Sequence, residues 1–248
     1  MPRRGIRVIA RAAEVLRALE GREEGLSLGQ LARQLGLPRS TVQRIVNALD
    51  AENFVIAASP TARVRLGPAL MRIADSTRFR IAEVAHPYME QLSGETGETV
   101  DLSVRDQDKL VFLDQVPGSH RLRAVSAVGV SFPLHCSANG KALLAALSEA
   151  ELDRLRSSLS LTAHTANTIT NWKTLTAELE RIREEGIAYD REEHSAGISA
   201  VAAIVRGHTG ETAAISIPTP TQRFAALEPQ LRSGLVDCCG RLQQALGQ

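Results

Sequence analysis

The side chains best suited to chemistry in this sequence lie near its start. Ser40, Gln43, Arg44 and Asn47 recur at three- and four-residue intervals, and at about 100° per residue they gather on one side of a helix. Val42, Ile45, Val46 and Leu49 take the other side, the apolar stripe of a helix that packs on a core. Arginine, asparagine and glutamine can make paired hydrogen bonds to base edges, and serine can donate to a phosphate oxygen. Arg39 and Thr41 flank the start of the same helix, where free backbone N–H groups also favour a phosphate. Arg63 and Arg65 alternate with Val64 and Leu66, so a strand would turn both cations outward, placed to neutralise phosphates beside a groove.

Such a face needs a scaffold to present it. Ile9, Ala12, Ala13, Leu16 and Leu19 predict a helix over residues 6–19, with Gly21 as its stop. A second, short helix follows with Leu28, Leu31, Ala32 and Leu35 on its apolar face and Ser27 as its cap. Gly36-Leu37-Pro38 breaks the chain, and the helix carrying the polar face then runs over about residues 39–52. Residues 54–57 and 63–66 read as two strands joined through Ser59-Pro60-Thr61-Ala62. The sum is a winged helix-turn-helix, with double-stranded DNA as its partner. A helical interaction module with a merely solvated polar face would share the periodicity, but charge separates the two readings. Residues 1–80 carry 14 arginines against 7 acids, whereas residues 81–248 carry 15 basic against 21 acidic side chains. A basic head on an acidic body suits a polyanion at the head alone.

Length and composition bound the rest. The 248 residues suit two modest domains, and 44% hydrophobic content with a net charge of +1 argues against disorder. Apolar runs such as residues 142–147 and 200–205 fall short of the roughly 18–20 residues a membrane span needs. No secretory h-region follows the basic start, and the three cysteines are too few and too clumped for a disulfide framework or a spaced zinc site. The expected compartment is the cytoplasm.

Ser27-Leu28-Gly29-Gln30-Leu31-Ala32-Arg33-Gln34-Leu35-Gly36-Leu37-Pro38-Arg39-Ser40-Thr41-Val42-Gln43-Arg44 resembles the recognition unit of the IclR family of bacterial transcription regulators. Two later segments strengthen the likeness. Phe132-Pro133-Leu134-His135-Cys136-Ser137-Ala138-Asn139-Gly140-Lys141-Ala142-Leu143-Leu144-Ala145 is similar to the family's Pro-x-His-x-Ser/Thr-Ala-x-Gly-Lys-Ala-x-Leu-Ala signature, and Asp190-Arg191-Glu192-Glu193-His194-Ser195-Ala196-Gly197-Ile198-Ser199 to its second one. The resemblance implies an N-terminal winged helix-turn-helix and a C-terminal effector-binding domain of GAF-like fold.

The body's own pattern agrees with an antiparallel sheet bearing helices. Gly67-Pro68 is followed by a connecting helix carrying Ala69, Leu70, Ile73, Ala74 and, further on, Phe79, Ile81 and Ala82, with a break possible before His86-Pro87, and residues 83–93 read as a helix that tolerates Pro87 only near its start. Strands are expected where Val100, Leu102 and Val104 alternate with polar residues, over residues 110–113 and 122–126, and later over 187–189, 199–205 and 212–217. Helices are expected over 137–147, 148–159 with a Ser148/Glu151 capping box, 171–185, and along the Leu227, Leu231, Leu235, Leu242, Leu246 stripe. Ser137 caps the first of these, whose open N–H groups at Ala138 and Asn139 suit an anion, although any capped helix has them. The resemblance further implies an effector pocket with backbone groups at Ala138 and Asn139, an acid at Asp190, apolar cover from Ile198 and a hydroxyl at Ser216. Ala200 stands where many members have cysteine, and Pro218 replaces a second hydroxyl position. Two lost polar groups point away from small keto acids such as glyoxylate or pyruvate and toward an aromatic or sugar-derived acid.

Catalytic readings compete poorly. His135 beside Cys136 could pair a base with a thiol, but neighbours on a strand point apart and no Gly-x-Ser-x-Gly elbow is present. Asp190, Glu192 and His194 at alternate positions would share a strand face able to hold a metal, or be a solvated charge run. Cys238-Cys239, Trp172 and Tyr189 read as packing or surface residues. The expectation is an α+β chain: a winged helix-turn-helix over residues 1–67, then a linker helix and GAF-like α/β effector domain over 68–248. It is expected to act as a homo-dimer or homo-tetramer on a DNA operator, answering to a small-molecule effector, with no cofactor, metal or membrane partner. The alternative is a metal-dependent sensor or enzyme with the head as a docking module.

Overall fold

The computed structural model describes residues 7–22, 24–57, 63–76, 80–207 and 211–246. The turn expected at residues 59–62 lies outside the described residues. Contacts divide the chain into two compact units, residues 1–78 and 79–248. The division falls after the first linker helix, eleven residues later than the expected boundary at 67.

The first unit holds α1 (Arg7–Ala18), α2 (Leu28–Leu35) and α3 (Arg39–Ala51). Ser27 starts α2 through a reciprocal box: its Oγ accepts from the Gln30 N–H at 3.3 Å, while Gln30 Oε1 accepts from the Ser27 N–H at 2.8 Å. Gly36 ends α2 in the left-handed region at φ +63°, a conformation that favours glycine, and Pro38 leads straight into α3. Val15, Leu19, Leu31, Val42, Ile45 and Val46 close the core between the helices. β1 (Val55–Ile56) and β2 (Arg65–Leu66) form a short antiparallel wing. Val64 is buried and exchanges two backbone bonds with Leu26, whereas Leu66, at the wing's end, stays 41% exposed. α4 (Ala69–Ser76) completes the unit.

The second unit is a six-stranded antiparallel sheet in the order β5-β4-β3-β8-β7-β6. Its strands are β3 (Val100–Asp106), β4 (Lys109–Val116), β5 (Ser131–Pro133), β6 (Ala188–Arg191), β7 (Ile198–Arg206) and β8 (Thr212–Pro220). Helices cover both faces. α5 (Arg80–Thr96) and α9 (Thr221–Ala245) bury Met89, Leu92, Phe224 and Leu235 against Leu102, Val201 and Ile215 on one side. α6 (Ala138–Ala145), α7 (Glu149–Arg156) and α8 (Trp172–Glu185) bury Leu144, Leu155 and Leu179 against Phe112, Ala202 and Ala214 on the other. Successive residues of one strand thus serve opposite cores, as Val201 and Ala202 do.

The helix expected over residues 83–93 is part of α5, which starts at Arg80, so Pro87 lies inside it rather than near its start. The buried stripe Ile81, Ala85, Met89 and Leu92 carries the helix across the one missing N–H donor. Residues 122–126 are not a strand. The free edge of β4 is taken by β5, with Lys109 opposite Pro133, and the preceding segment runs irregularly with Leu122 and Val125 exposed.

Candidate functional site

In the first unit, Arg39, Ser40, Arg44 and Asn47 are exposed on α3, and Thr41 and Gln43 are half-buried. Gln43 Nε2 donates to Asn47 Oδ1 at 2.7 Å, so the two amides form one pre-ordered patch. Thr41 and Arg44 sit on the shoulder of that face, lining a groove shared with Arg11 and Ala12 of α1. Among the described residues no side chain caps α3, leaving its first amides for an anion. Arg63 and Arg65 are both exposed, and the Arg63 guanidinium donates to the Gly25 carbonyl at 3.4 Å, which anchors the wing's start to the loop before α2.

The second unit encloses a cavity of about 270 Å³. Strand register explains its walls. Asp190 lies opposite Ala200, and Ala200 opposite Pro218, which makes one row across β6, β7 and β8. Ser216 lies opposite Asp101, the next row toward β3. Ser137, Ala138 and Asn139 at the start of α6 face these rows, so all six positions expected from the family pattern (Ala138, Asn139, Asp190, Ile198, Ala200 and Ser216) line one cavity. Gly140 lets α6 begin this close to its own loop: a Cβ there would stand 2.4 Å from the Leu134 carbonyl oxygen. Ser137 Oγ accepts from the Gly140 N–H at 3.3 Å, and Lys141 N–H bonds to the Ser137 carbonyl. Among the described residues, the N–H groups of Ala138 and Asn139 are then left for the cavity.

Lys141 is buried on α6 and donates to Glu193 and, at 3.1 Å, to Glu178 of α8. This ion cluster ties the helix start to the loop after β6. Asp190 Oδ1 accepts from the Glu193 N–H at 2.7 Å in the same loop. Burial, with the Glu193 carboxylate beside it, pushes Asp190 up to about 7.

Several lining residues escaped the sequence reading. Asp101 is buried and accepts from Gln115 Nε2 at 2.7 Å and Ser126 Oγ at 2.6 Å, and desolvation pushes it up to about 6. Arg123, Ser126, Phe132 and His194 also line the cavity. Phe132 packs edge-on against Phe112 at 5.0 Å and flat on the His194 ring at 4.2 Å. Asp101 carried a signal: an acid alternating with Val100 and Leu102 belongs to a strand's second face, and here that face is covered rather than solvated. Polarity lost at Ala200 and Pro218 is therefore supplied from β3 and from the segment before β5.

The catalytic and metal readings change as well. His135 and Cys136 lie in a turn after β5, not on a strand. Burial, together with the Asp190 and Glu193 carboxylates, pushes the Cys136 thiol up to about 12, so it is no nucleophile at neutral pH. Asp190, Glu192 and His194 do not share a strand face: β6 ends at Arg191, Glu192 takes φ +61°, and its carboxylate accepts from the Gly197 N–H at 2.9 Å. Cys238 and Cys239 are buried in the α5–α9 core. Tyr189 is buried under the Arg191 guanidinium, 4.7 Å from its ring centre.

Comparison with known proteins agrees with this two-part architecture. Residues 8–56 match the IclR helix-turn-helix domain, and residues 74–243 match the bacterial transcriptional regulator IclR C-terminal domain. The chain is 49% identical to the HTH-type transcriptional regulator Rv1719 of Mycobacterium tuberculosis over 94% of its length and 89% of that protein's. It is 36% identical to the HTH-type transcriptional regulator TtgV of Pseudomonas putida, over 98% of this chain and 93% of the other. An IclR homologue from Microbacterium hydrocarbonoxydans, crystallised with 4-hydroxybenzoate, shares the fold with a TM-score of 0.82 at 24% identity, covering 96% of this chain and 98% of its own. No helix among the described residues is long and apolar enough to cross a membrane.

Proposed function

This chain belongs to the IclR family of bacterial transcriptional regulators, and from that premise we propose which residues read the operator and what kind of molecule the cavity takes. A small molecule in the second unit modulates the operator binding of the first. On α3, Ser40, Gln43, Arg44 and Asn47 meet base edges in the major groove, while Arg39, Thr41, Arg63 and Arg65 hold phosphates. The chain works as a homo-dimer or homo-tetramer, because two recognition helices about 34 Å apart are needed to read successive major grooves. Val8 and Ile9 on α1 and Met71 on α4 are more than 60% exposed and offer apolar surface for such pairing.

The effector is a hydroxylated aromatic or sugar-derived acid. One observation carries this reading: acceptors and anion-binding groups converge on one cavity that also has aromatic walls. A carboxylate would meet the Ala138 and Asn139 amides and Arg123, a hydroxyl would donate to Asp101 or Asp190, and Phe112 and Phe132 would cover a ring. The 4-hydroxybenzoate carried by the Microbacterium homologue has that combination of groups.

Calorimetric titration of the full-length protein tests it. Hydroxylated aromatic acids and sugar acids are expected to bind, and Asp190→Asn and Arg123→Ala to weaken them. Tight binding of glyoxylate or pyruvate alone would refute the effector class. Relatives that carry out transcriptional regulation support a regulatory rather than catalytic role. Turnover of a bound effector would reverse that reading.

A further inference from the structure

Beside the effector cavity, and outside it, one ring nitrogen each of His135 and His164 and the Cys136 Sγ lie within 4.8 Å of one another. We propose that these three side chains form a binding site for a borderline transition-metal ion of the zinc type, closed by three protein ligands and one water or exogenous ligand.

His135 supplies the independent observation. The side chain is fully buried, its Nε2 stands 3.0 Å from the Thr162 carbonyl oxygen, and among the described residues its Nδ1 has no hydrogen-bond partner. A carbonyl oxygen can only accept, so Nε2 carries the proton and Nδ1 presents a bare lone pair inside the protein. An unpaired buried acceptor of this kind is unfavourable unless something binds it. The Nε2–H···O=C bond is also the arrangement that orients a ligating imidazole and fixes its tautomer. A soft sulfur and two imidazole nitrogens suit Zn²⁺ or Co²⁺ rather than Mg²⁺ or Ca²⁺.

The turn makes the site possible. Consecutive residues on a strand would point apart, but His135 and Cys136 lie between β5 and the cap of α6, where the chain reverses. His164 comes from the long connection between α7 and α8 and is exposed, so it forms the solvent side and the entry path. Donor atoms on a tetrahedral ion with bonds of about 2.0–2.3 Å stand about 3.3–3.8 Å apart, so a shift of about an ångström at the exposed His164 closes the site. Binding displaces the thiol proton, as for any cysteine ligand. The His164 ring is 5.4 Å from that of His194, which lines the effector cavity. A bound ion would therefore pin the α7–α8 connection against the cavity wall.

The test uses full-length protein, reduced and stripped with a chelator, then titrated with Co²⁺. One equivalent is expected, with a thiolate-to-cobalt absorption in the near ultraviolet and tetrahedral ligand-field bands, both abolished by added Zn²⁺. Cys136→Ser should lose the thiolate absorption. His164→Ala, at an exposed position, should weaken Co²⁺ binding about tenfold or more without changing the thermal melt. Absence of stoichiometric binding, or a His164→Ala protein that binds as well as the parent, overturns the proposal. So does a thiolate band that survives in Cys136→Ser, since it would place the metal on Cys238 or Cys239.

Discussion

Asp101→Asn should stabilise the second unit, and by an amount that depends on pH. Asp101 is 1% exposed, and burial raises its pKa from 3.8 to about 6. A raised acid favours folding fully only below its unfolded value, and that contribution fades as pH climbs through the folded value. With roughly 1.4 kcal/mol per pKa unit, the ionised carboxyl opposes folding by about 3 kcal/mol at pH 8 and about 1.5 kcal/mol at pH 5. Asparagine cannot ionise. Its carbonyl oxygen still accepts from Gln115, and the Ser126 hydroxyl, which donates to Oδ2 at 2.6 Å, can turn to accept from the new amide. Weaker hydrogen bonding offsets about 1 kcal/mol, leaving a net gain of about 2 kcal/mol at pH 8 and about 0.5 kcal/mol at pH 5. Urea unfolding followed by the fluorescence of Trp172, the only tryptophan and a residue of α8, reports on this unit. A gain of equal size at both pH values would show that packing, not charge, is responsible. A loss at pH 8 would refute the reasoning outright.

Other outcomes follow from the same geometry. Arg44→Ala should weaken operator binding by about 1–3 kcal/mol and relax preference at one base position, read by competition against single-base operator variants. Arg63→Ala should weaken all duplexes about equally and flatten the salt slope by about one unit; a base-specific loss would move it off the phosphates. Lys141→Met leaves Glu193 buried without its cation, so it should destabilise the second unit by about 3–5 kcal/mol. Adding Glu193→Gln should recover most of that loss in the same urea assay, and no recovery would mean that Lys141 acts through packing alone.

Much of this molecule could be read from spacing. The Val42, Ile45, Val46 and Leu49 stripe fixed which side of α3 is buried, and Ser27, Gly36 and Pro38 marked where α2 ends and α3 begins. Local signals govern such features: caps, turn residues and a 3.6-residue period. What escaped depended on partners distant in sequence. Whether residues 122–126 form a strand is decided by which segment pairs with β4, and β5 wins that edge. The helix around Pro87 was legible over residues 83–93 but its start at Arg80 was not, and the stripe opposite Pro87 packs on the sheet strongly enough to outweigh the local penalty. Asp101 was not singled out, because alternation reveals two faces of a strand but not that helices cover both. In the cavity, Asp190, Ile198 and Ser216 came from a family pattern, whereas Arg123 and Ser126 became visible only when the segments around β5 and β6 were brought together.

A basic winged module is proposed to hold duplex DNA while the second unit senses a metabolite for it. Fluorescence anisotropy with a labelled duplex from the region upstream of the protein's own gene tests both halves in one titration. The duplex should bind at least about tenfold more tightly than a scrambled one at physiological salt, with that affinity shifted by a hydroxylated aromatic or sugar-derived acid and the shift lost in Asp190→Asn. Equal affinity for both duplexes, unmoved by any such compound, would contradict it.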